Sequence, residues 1–292
     1  MPAPKTSARR PPAPPLHPHR RNRWLVAGAP IGVVIIAVSV LVGVKLGTGS
    51  GPKSGTRAET AAAAVVQAVT GVPAGVLDAV GVGTSTQLPA AIAGPALTAD
   101  GKPRVLYVGA EYCPFCAAQR WPMIVALSRF GTWQGLGQTT SAGAPEVYPD
   151  TATLTFHGAT YRSELLSFTG VETESNQVVD GRYAPLDTLS AADAAVLRAH
   201  DPSGGIPFVD LGGRRATTGA SYSPAVLAGK THAQIAAALA DPASAIARGV
   251  NGAANVISAA LCELTGGQPA AVCTSAGVRA GAAALADSAH AG

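Results

Sequence analysis

Cys113 and Cys116 stand with two residues between them in Tyr112-Cys113-Pro114-Phe115-Cys116. Sulfurs at this spacing can close a disulfide or open to a dithiol with little change of backbone geometry. A helix beginning at the first of them favours negative charge there, which lowers the thiol pKa and strengthens the nucleophile. Pro114 suits the first helical position, where its missing N–H leaves nothing unsatisfied. Cys113 is therefore the expected attacking and first-oxidised sulfur. Cys116, one turn into the helix, is the expected resolving sulfur. Two other readings of the pair remain open. One is a permanent structural disulfide. The other is a metal site, although zinc needs four ligands and Cys262 and Cys273 are too far apart to form a second such motif. A copper carrier would favour several methionines, and the chain has 2, Met1 and Met123.

The flanking residues are candidates for tuning the sulfurs. Glu111 precedes the motif and reads as exposed. Arg120 lies one turn beyond Cys116, where it would stabilise a thiolate or form a solvated pair. Phe115 would act through its packing, and Trp121 reads as core.

These residues need elements to hold them. Arg104–Ala110 (RVLYVGA) is a near-continuous apolar run, as in a buried central strand. Pro114–Phe130 reads as a helix, kinked at Pro122 and ended by Gly131. Thr151–His157 alternates as a strand does, and Tyr161–Phe168 reads as a strand or an extended segment. Ser190–Ala199 is a helix with Ser190 as N-cap and Asp193 at the third helical position. Ile206–Leu211 is a strand led by Pro207, followed by a Gly212-Gly213 turn. Thr231–Leu239, with Thr231 as cap, and Ala253–Leu264 read as helices. This order of elements predicts an α/β domain. A proline opening a strand just after Ile206 is a candidate cis peptide, and the nearby cysteine motif strengthens that reading.

The net charge of +4 is unevenly placed: residues 1–23 carry six of the 21 basic residues and no acids, leaving 15 against 17 acids, about −2, in the remainder. No basic face argues for nucleic acid. Trp24 to Val44 is an uncharged apolar run of 21 residues, long enough to span a bilayer. The basic cluster before it places the N-terminus in the cytoplasm and the bulk of the chain outside. A cleaved signal peptide fits less well, because its apolar core is shorter, about 7–15 residues, and a small-residue cleavage site should follow. The expected organisation is a disordered basic cytoplasmic head (1–23), a transmembrane anchor (24–46), a linker and short helix (47–70), an extracytoplasmic domain (71–275) and a flexible tail (276–292). All 4 cysteines lie beyond the anchor, as suits an oxidising compartment. Cys262 and Cys273 read as a structural disulfide, with a relay to the first pair as the sharper alternative. Gly81–Thr86 lacks the third glycine of a dinucleotide loop and follows no clear strand. The histidines are scattered, and His157 and His200 read as isolated.

The CxxC at a strand-to-helix junction, with a later Ile-Pro before a strand, resembles the thioredoxin superfamily. More narrowly, the blocks GKPRVLYVGAEYCPFCAAQRWPMIVALSRFGT, YPDTATLTFHGATYRSELLSF, GIPFVDLGG, ASYSPAVLAGKTHAQIAAAL and LCELTGGQPAAVC look like an uncharacterised, membrane-anchored family of thioredoxin-like proteins, catalogued as domain of unknown function 929. The resemblance implies a thioredoxin-like domain preceded by one transmembrane helix. It also implies a cis Pro207 that faces the disulfide, with the adjoining backbone at Ile206 orienting a partner chain. Disulfide exchange by this pair needs no bound cofactor, and no metal is expected. Three departures stand out. Tyr112 replaces the usual Trp. About 90 residues separate Cys116 from Pro207, so a large insertion is expected between them. The strand Arg104–Ala110 lacks the buried acid that accepts a proton in thioredoxins.

The function expected is disulfide exchange with envelope or secreted proteins through Cys113 and Cys116, at the cell membrane. An unidentified membrane redox partner would reset the pair, and lipid would hold the anchor. The alternatives are a non-catalytic scaffold with static disulfides and, less favoured, a metal carrier.

Overall fold

The computed structural model describes residues 54–290, with the backbone alone for 54–61 and 289–290. The basic head, the anchor at 24–46 and the start of the linker lie outside these residues. Among the described residues no single helix is long and apolar enough to cross a membrane.

In chain order the elements are α1 (Ser54–Thr70), α2 (Ala74–Val80), β1 (Ala90–Ala91), β2 (Thr98–Ala99), β3 (Lys102–Gly109), α3 (Pro114–Leu127), β4 (Thr132–Gln134), β5 (Gly137–Thr140), β6 (Ala152–Thr155), β7 (Thr160–Arg162), β8 (Ser167–Glu172), β9 (Glu174–Val179), β10 (Arg182–Pro185), α4 (Ala191–His200), β11 (Phe208–Leu211), β12 (Arg215–Thr218), a 3₁₀ turn (Pro224–Leu227), α5 (His232–Ala238), α6 (Ala245–Leu264), α7 (Ala270–Cys273) and α8 (Ala276–His290). The fold is mixed α/β, as expected.

β3 is the centre of a mixed sheet ordered β1-β12-β11-β3, with β8 on the far side of β3 and short β2 at its start. β8 runs parallel to β3, Arg104 opposite Ser167 and Gly109 opposite Glu172. β11 runs antiparallel, Val108 opposite Phe208 and Val105 opposite Leu211. Successive side chains of a strand point to opposite faces, and here both faces are covered. Val105, Tyr107, Val209 and Leu211 join the larger core with α3 and α6. Leu106, Val108 and Phe208 join a smaller one with Leu197 of α4. The uninterrupted apolar run in β3 follows from burial on both sides.

The long stretch between α3 and β11 resolves into two additions, the core strand β8 and the helix α4. Between α3 and β8 the chain makes an antiparallel excursion, β4 pairing with β7 and β5 with β6. Between β8 and α4 it makes the hairpin β9–β10, turning at Asp180 (φ 52°) and Gly181 (φ 76°). Two successive positive φ angles make the turn that hairpins favour, and Asp-Gly suits it. The segment expected over Tyr161–Phe168 is split between β7 and β8 because Ser163 leaves the ladder. Its hydroxyl donates to the Phe130 carbonyl at 2.6 Å and accepts from the Leu165 and Leu166 amides.

Other boundaries shift for stated reasons. α6 begins at Ala245 rather than Ala253, capped by Ser244, whose hydroxyl accepts from the Ala247 amide at 2.9 Å. α1 belongs with the body, since Val65 and Val69 are buried in the larger core. The expected flexible tail forms α8, with Val278 and Leu285 buried. Its small residues serve close packing rather than fraying: a Cβ at Gly281 would come 2.7 Å from the Asn255 carbonyl oxygen of α6. The helix caps at Ser190 and Thr231 are as expected, the latter as a full capping box with Gln234.

Candidate functional site: a buried thiol pair at a helix start

β3 ends at Gly109, and the chain turns through Ala110–Tyr112 into α3. Cys113 is the N-cap, with extended backbone (φ −75°, ψ 121°), and Pro114 is the first helical residue. The Cys116 amide donates to Cys113 Sγ at 3.3 Å, so a helix-terminal N–H is spent on sulfur. Both cysteines are free thiols; Cys113 is 6% exposed and Cys116 fully buried. The register of β11 on β3 brings Ile206 and Pro207 to the same end of the sheet. The Ile206–Pro207 peptide is cis, and Cys113 Sγ lies 4.0 Å from the Ile206 carbonyl oxygen.

The two sulfurs differ electrostatically. A side-chain hydrogen bond with Cys116 holds the Cys113 thiol below its usual range, with help from the helix-start amides and the Arg120 charge, against the effect of burial. Burial pushes the Cys116 thiol well up, and its interaction with Cys113 pushes it further. The two shifts run in opposite directions, favouring the anion at Cys113 and the protonated thiol at Cys116.

Arg120 is not at the surface, where a solvated pair would lie. It is fully buried and binds Glu172 of β8 through two bonds, Nε to Oε1 at 2.8 Å and Nη2 to Oε2 at 2.6 Å. Nη2 also donates to the Ala110 carbonyl at 2.7 Å. β3 lacks a buried acid, but its parallel neighbour supplies one. Glu172 is absent from the sequence reading because nothing in its spacing, 52 residues from Arg120, joins it to the motif. The faint signal is an acid closing an otherwise uncharged strand, Ser167–Glu172. Glu111 is also a correction: it is 9% exposed rather than solvated, and accepts from the Thr139 hydroxyl at 3.4 Å.

The two additions converge on the residue before Cys113. The Tyr112 carbonyl accepts from Ala142 N at 2.8 Å, from the loop between β5 and β6. The Tyr112 ring stacks on Tyr183 of β10, centroids 4.1 Å apart and planes 3° apart. Tyr183 in turn donates to Glu146 Oε1 at 3.4 Å. Burial, then the Glu174 charge, push the Tyr112 hydroxyl up to about 12. Tyr112 therefore has a structural role that its position in the motif did not indicate.

On the other flank Phe115 is 40% exposed, edge-on to Tyr148 with centroids 6.2 Å apart. Together with Gln87, Thr218, Gly219 and Tyr222 these rings line a groove of about 410 Å³ with no charged lining residue. Gly219 N donates to the Pro207 carbonyl at 2.8 Å, so the groove adjoins both the motif and the cis peptide. Trp121 is core, fully buried, with its indole N–H donating to the Ala152 carbonyl at 3.1 Å.

Cys262 and Cys273 form a disulfide. It lies at the opposite end of the sheet: Gly212, after β11, abuts Leu264, and Arg215 pairs with Glu263. His157 is not isolated, since Nδ1 lies 2.6 Å from Asp187. Among the described residues no three His, Cys, Asp or Glu side chains gather as a metal site would need. Gly83, in the stretch Gly81–Thr86, lies against α6, where a Cβ would clash with the Arg248 carbonyl oxygen.

No curated protein and no solved structure matches this chain. Residues 89–204, which include Cys113, Cys116, Arg120 and Glu172 and stop short of Ile206, match the family model of a domain of unknown function (DUF929).

Proposed function

We propose that this chain is a thioredoxin-like thiol–disulfide oxidoreductase, tethered to the cell membrane by Trp24–Val44, with its main domain outside the cytoplasm. It exchanges disulfides with envelope or secreted proteins. The thioredoxin-like part of the reading is supported by the sheet order β12-β11-β3-β8. In it, β3 is parallel to β8 and antiparallel to β11, and helices cover both faces. The excursion β4–β7 and the hairpin β9–β10 are then insertions into that frame.

The observation that carries the reading is the meeting of three features. An N-cap sulfur accepts a helix amide, a second sulfur lies buried one turn on, and the Ile206 carbonyl sits 4.0 Å from the first beside the cis Pro207. In the exchange a partner thiolate attacks the oxidised pair at Cys113, the less enclosed sulfur. The Cys113–Cys116 bond breaks and a mixed disulfide forms. The partner's second thiolate then forms the partner's own disulfide and releases Cys113. The reverse sequence reduces a partner. Ile206, Pro207 and the groove beside Phe115 hold the partner chain in line.

The test is Cys116→Ser in cells, which removes the resolving sulfur. Mixed disulfides with envelope proteins, absent from Cys113→Ser/Cys116→Ser, are expected. A Cys116→Ser chain that is folded and membrane-bound yet captures no partner would favour the scaffold reading instead.

A further inference from the structure

Reductases and oxidases can be built from the same sulfurs. What separates them is how far the protein stabilises the dithiol form, because stabilising it makes the disulfide a stronger oxidant. The buried ions beneath the pair bear on that choice, and the inference drawn from them rests on the exchange reading above.

Arg120 stands four residues after Cys116, on the same side of α3. It is fully buried, where a charge acts through little screening solvent. Its orientation is fixed from three sides: two bonds to Glu172 and one to the Ala110 carbonyl. The third guanidinium nitrogen, Nη1, is buried without a hydrogen-bond partner among the described residues, as is the Tyr107 hydroxyl. Burying an ion pair is expensive and does not by itself stabilise a fold. Glu172 is held as firmly as Arg120: its carboxylate also accepts from Phe156 N at 3.4 Å, and its own amide donates to Asp187 at 3.0 Å. The pair is thus fixed in orientation, with its cation on the helix that carries Cys116 and one turn beyond it.

We propose that the Arg120–Glu172 pair sets the direction of exchange, with Arg120 stabilising the Cys113 anion of the reduced form, Glu172 limiting that effect, and the domain acting as a disulfide donor to reduced proteins. In the forward reaction the attacked bond releases Cys116 as the first leaving sulfur, one turn from Arg120, and it takes up a proton. The partner's second thiolate then releases Cys113, which stays an anion under the Cys116 amide. Two electrons pass from the partner dithiol to the pair. One of the partner's two protons goes to Cys116 and the other to solvent. A disulfide-bearing oxidant must then restore the pair. Arg120 and Glu172 are positioning residues in this scheme, since neither meets the partner.

The full-length chain in detergent micelles is equilibrated against mixtures of reduced and oxidised glutathione. The fraction with Cys113 bonded to Cys116 is read by alkylation and mass. The wild-type equilibrium should lie further toward the dithiol than that of a thioredoxin-type reductase in the same buffer. Arg120→Gln should move it about tenfold toward the disulfide, and Glu172→Gln about tenfold toward the dithiol, each equal to about 30 mV. Opposite signs are the diagnostic, because damage to the packing would not reverse with the partner removed. Arg120→Lys, which keeps the charge, should stay within about twofold of wild type and serves if Arg120→Gln fails to fold. Shifts of the same sign, shifts below about twofold, or a wild type poised like a reductase would overturn the inference while leaving exchange intact. A wild-type pair that never equilibrates with glutathione would remove the exchange reading itself.

Discussion

Two thiols three residues apart receive opposite treatment. Cys113 sits where α3 offers an unsatisfied N–H, and a side-chain hydrogen bond with Cys116, joined by that amide and by the Arg120 charge, outweighs its burial. Cys116 is one turn deeper, with burial as the largest influence on it. The sign of the pH dependence follows. A depressed thiol pKa shifts the anionic fraction to lower pH. Alkylation of the reduced chain should therefore rise through a midpoint below the ordinary thiol value of about 8.5 and map to Cys113. Cys116 should react only at higher pH. A Cys113 midpoint at or above that of an unstructured thiol would contradict the helix-start account. Linkage runs the same way: the stability Cys113 gives the folded dithiol is lost as pH falls through its folded value, and that from Cys116 is lost as pH rises through its own. At this scale the sequence was informative about the sulfurs, Pro114 and Pro207, whose chemistry is carried by residue type and short spacing. It said nothing of Glu172, because an ion pair across 52 residues leaves no local pattern.

At the scale of elements, α3 continues through Pro122. Proline at that position deprives the Ala118 carbonyl of its helical donor. The Tyr222 hydroxyl replaces it, donating to Ala118 O at 3.0 Å. Tyr222→Phe should therefore leave a buried carbonyl unpaired and lower stability by about 1–2 kcal/mol in urea denaturation. No loss would mean that something else satisfies Ala118. Tyr222 also lines the groove beside Phe115, so the bond that repairs the helix fixes one groove wall. The hairpin β9–β10 was legible in principle from Asp180-Gly181, a turn signal between β-forming residues. What was not legible is its destination, since stacking Tyr183 on Tyr112 depends on how the hairpin leaves the sheet.

At the scale of the whole molecule the two cysteine pairs sit at opposite ends of the sheet and should be separable. The Cys262–Cys273 bond closes a short loop, with a sequence separation of 11. Its removal by Cys262→Ala/Cys273→Ala should lower stability by about 2–4 kcal/mol. Partner capture by the Cys116→Ser chain should survive that change at temperatures well below the transition. Loss of capture in a chain still folded by circular dichroism would point to a relay between the pairs. Sequence alone determined the local parts: a sulfur pair at a strand-to-helix junction, a proline opening a later strand, caps at Ser190 and Thr231, and a mixed α/β order. These depend on neighbours within a few positions, where side-chain chemistry and backbone preference act directly. Only the tertiary structure decided that Ile206 meets Cys113, that β8 delivers Glu172 to Arg120, that two insertions close on Tyr112, and that the alanine-rich C-terminal stretch is a packed helix. Those outcomes depend on strand order, register and close approach over long separations, which the pattern of any one segment does not encode.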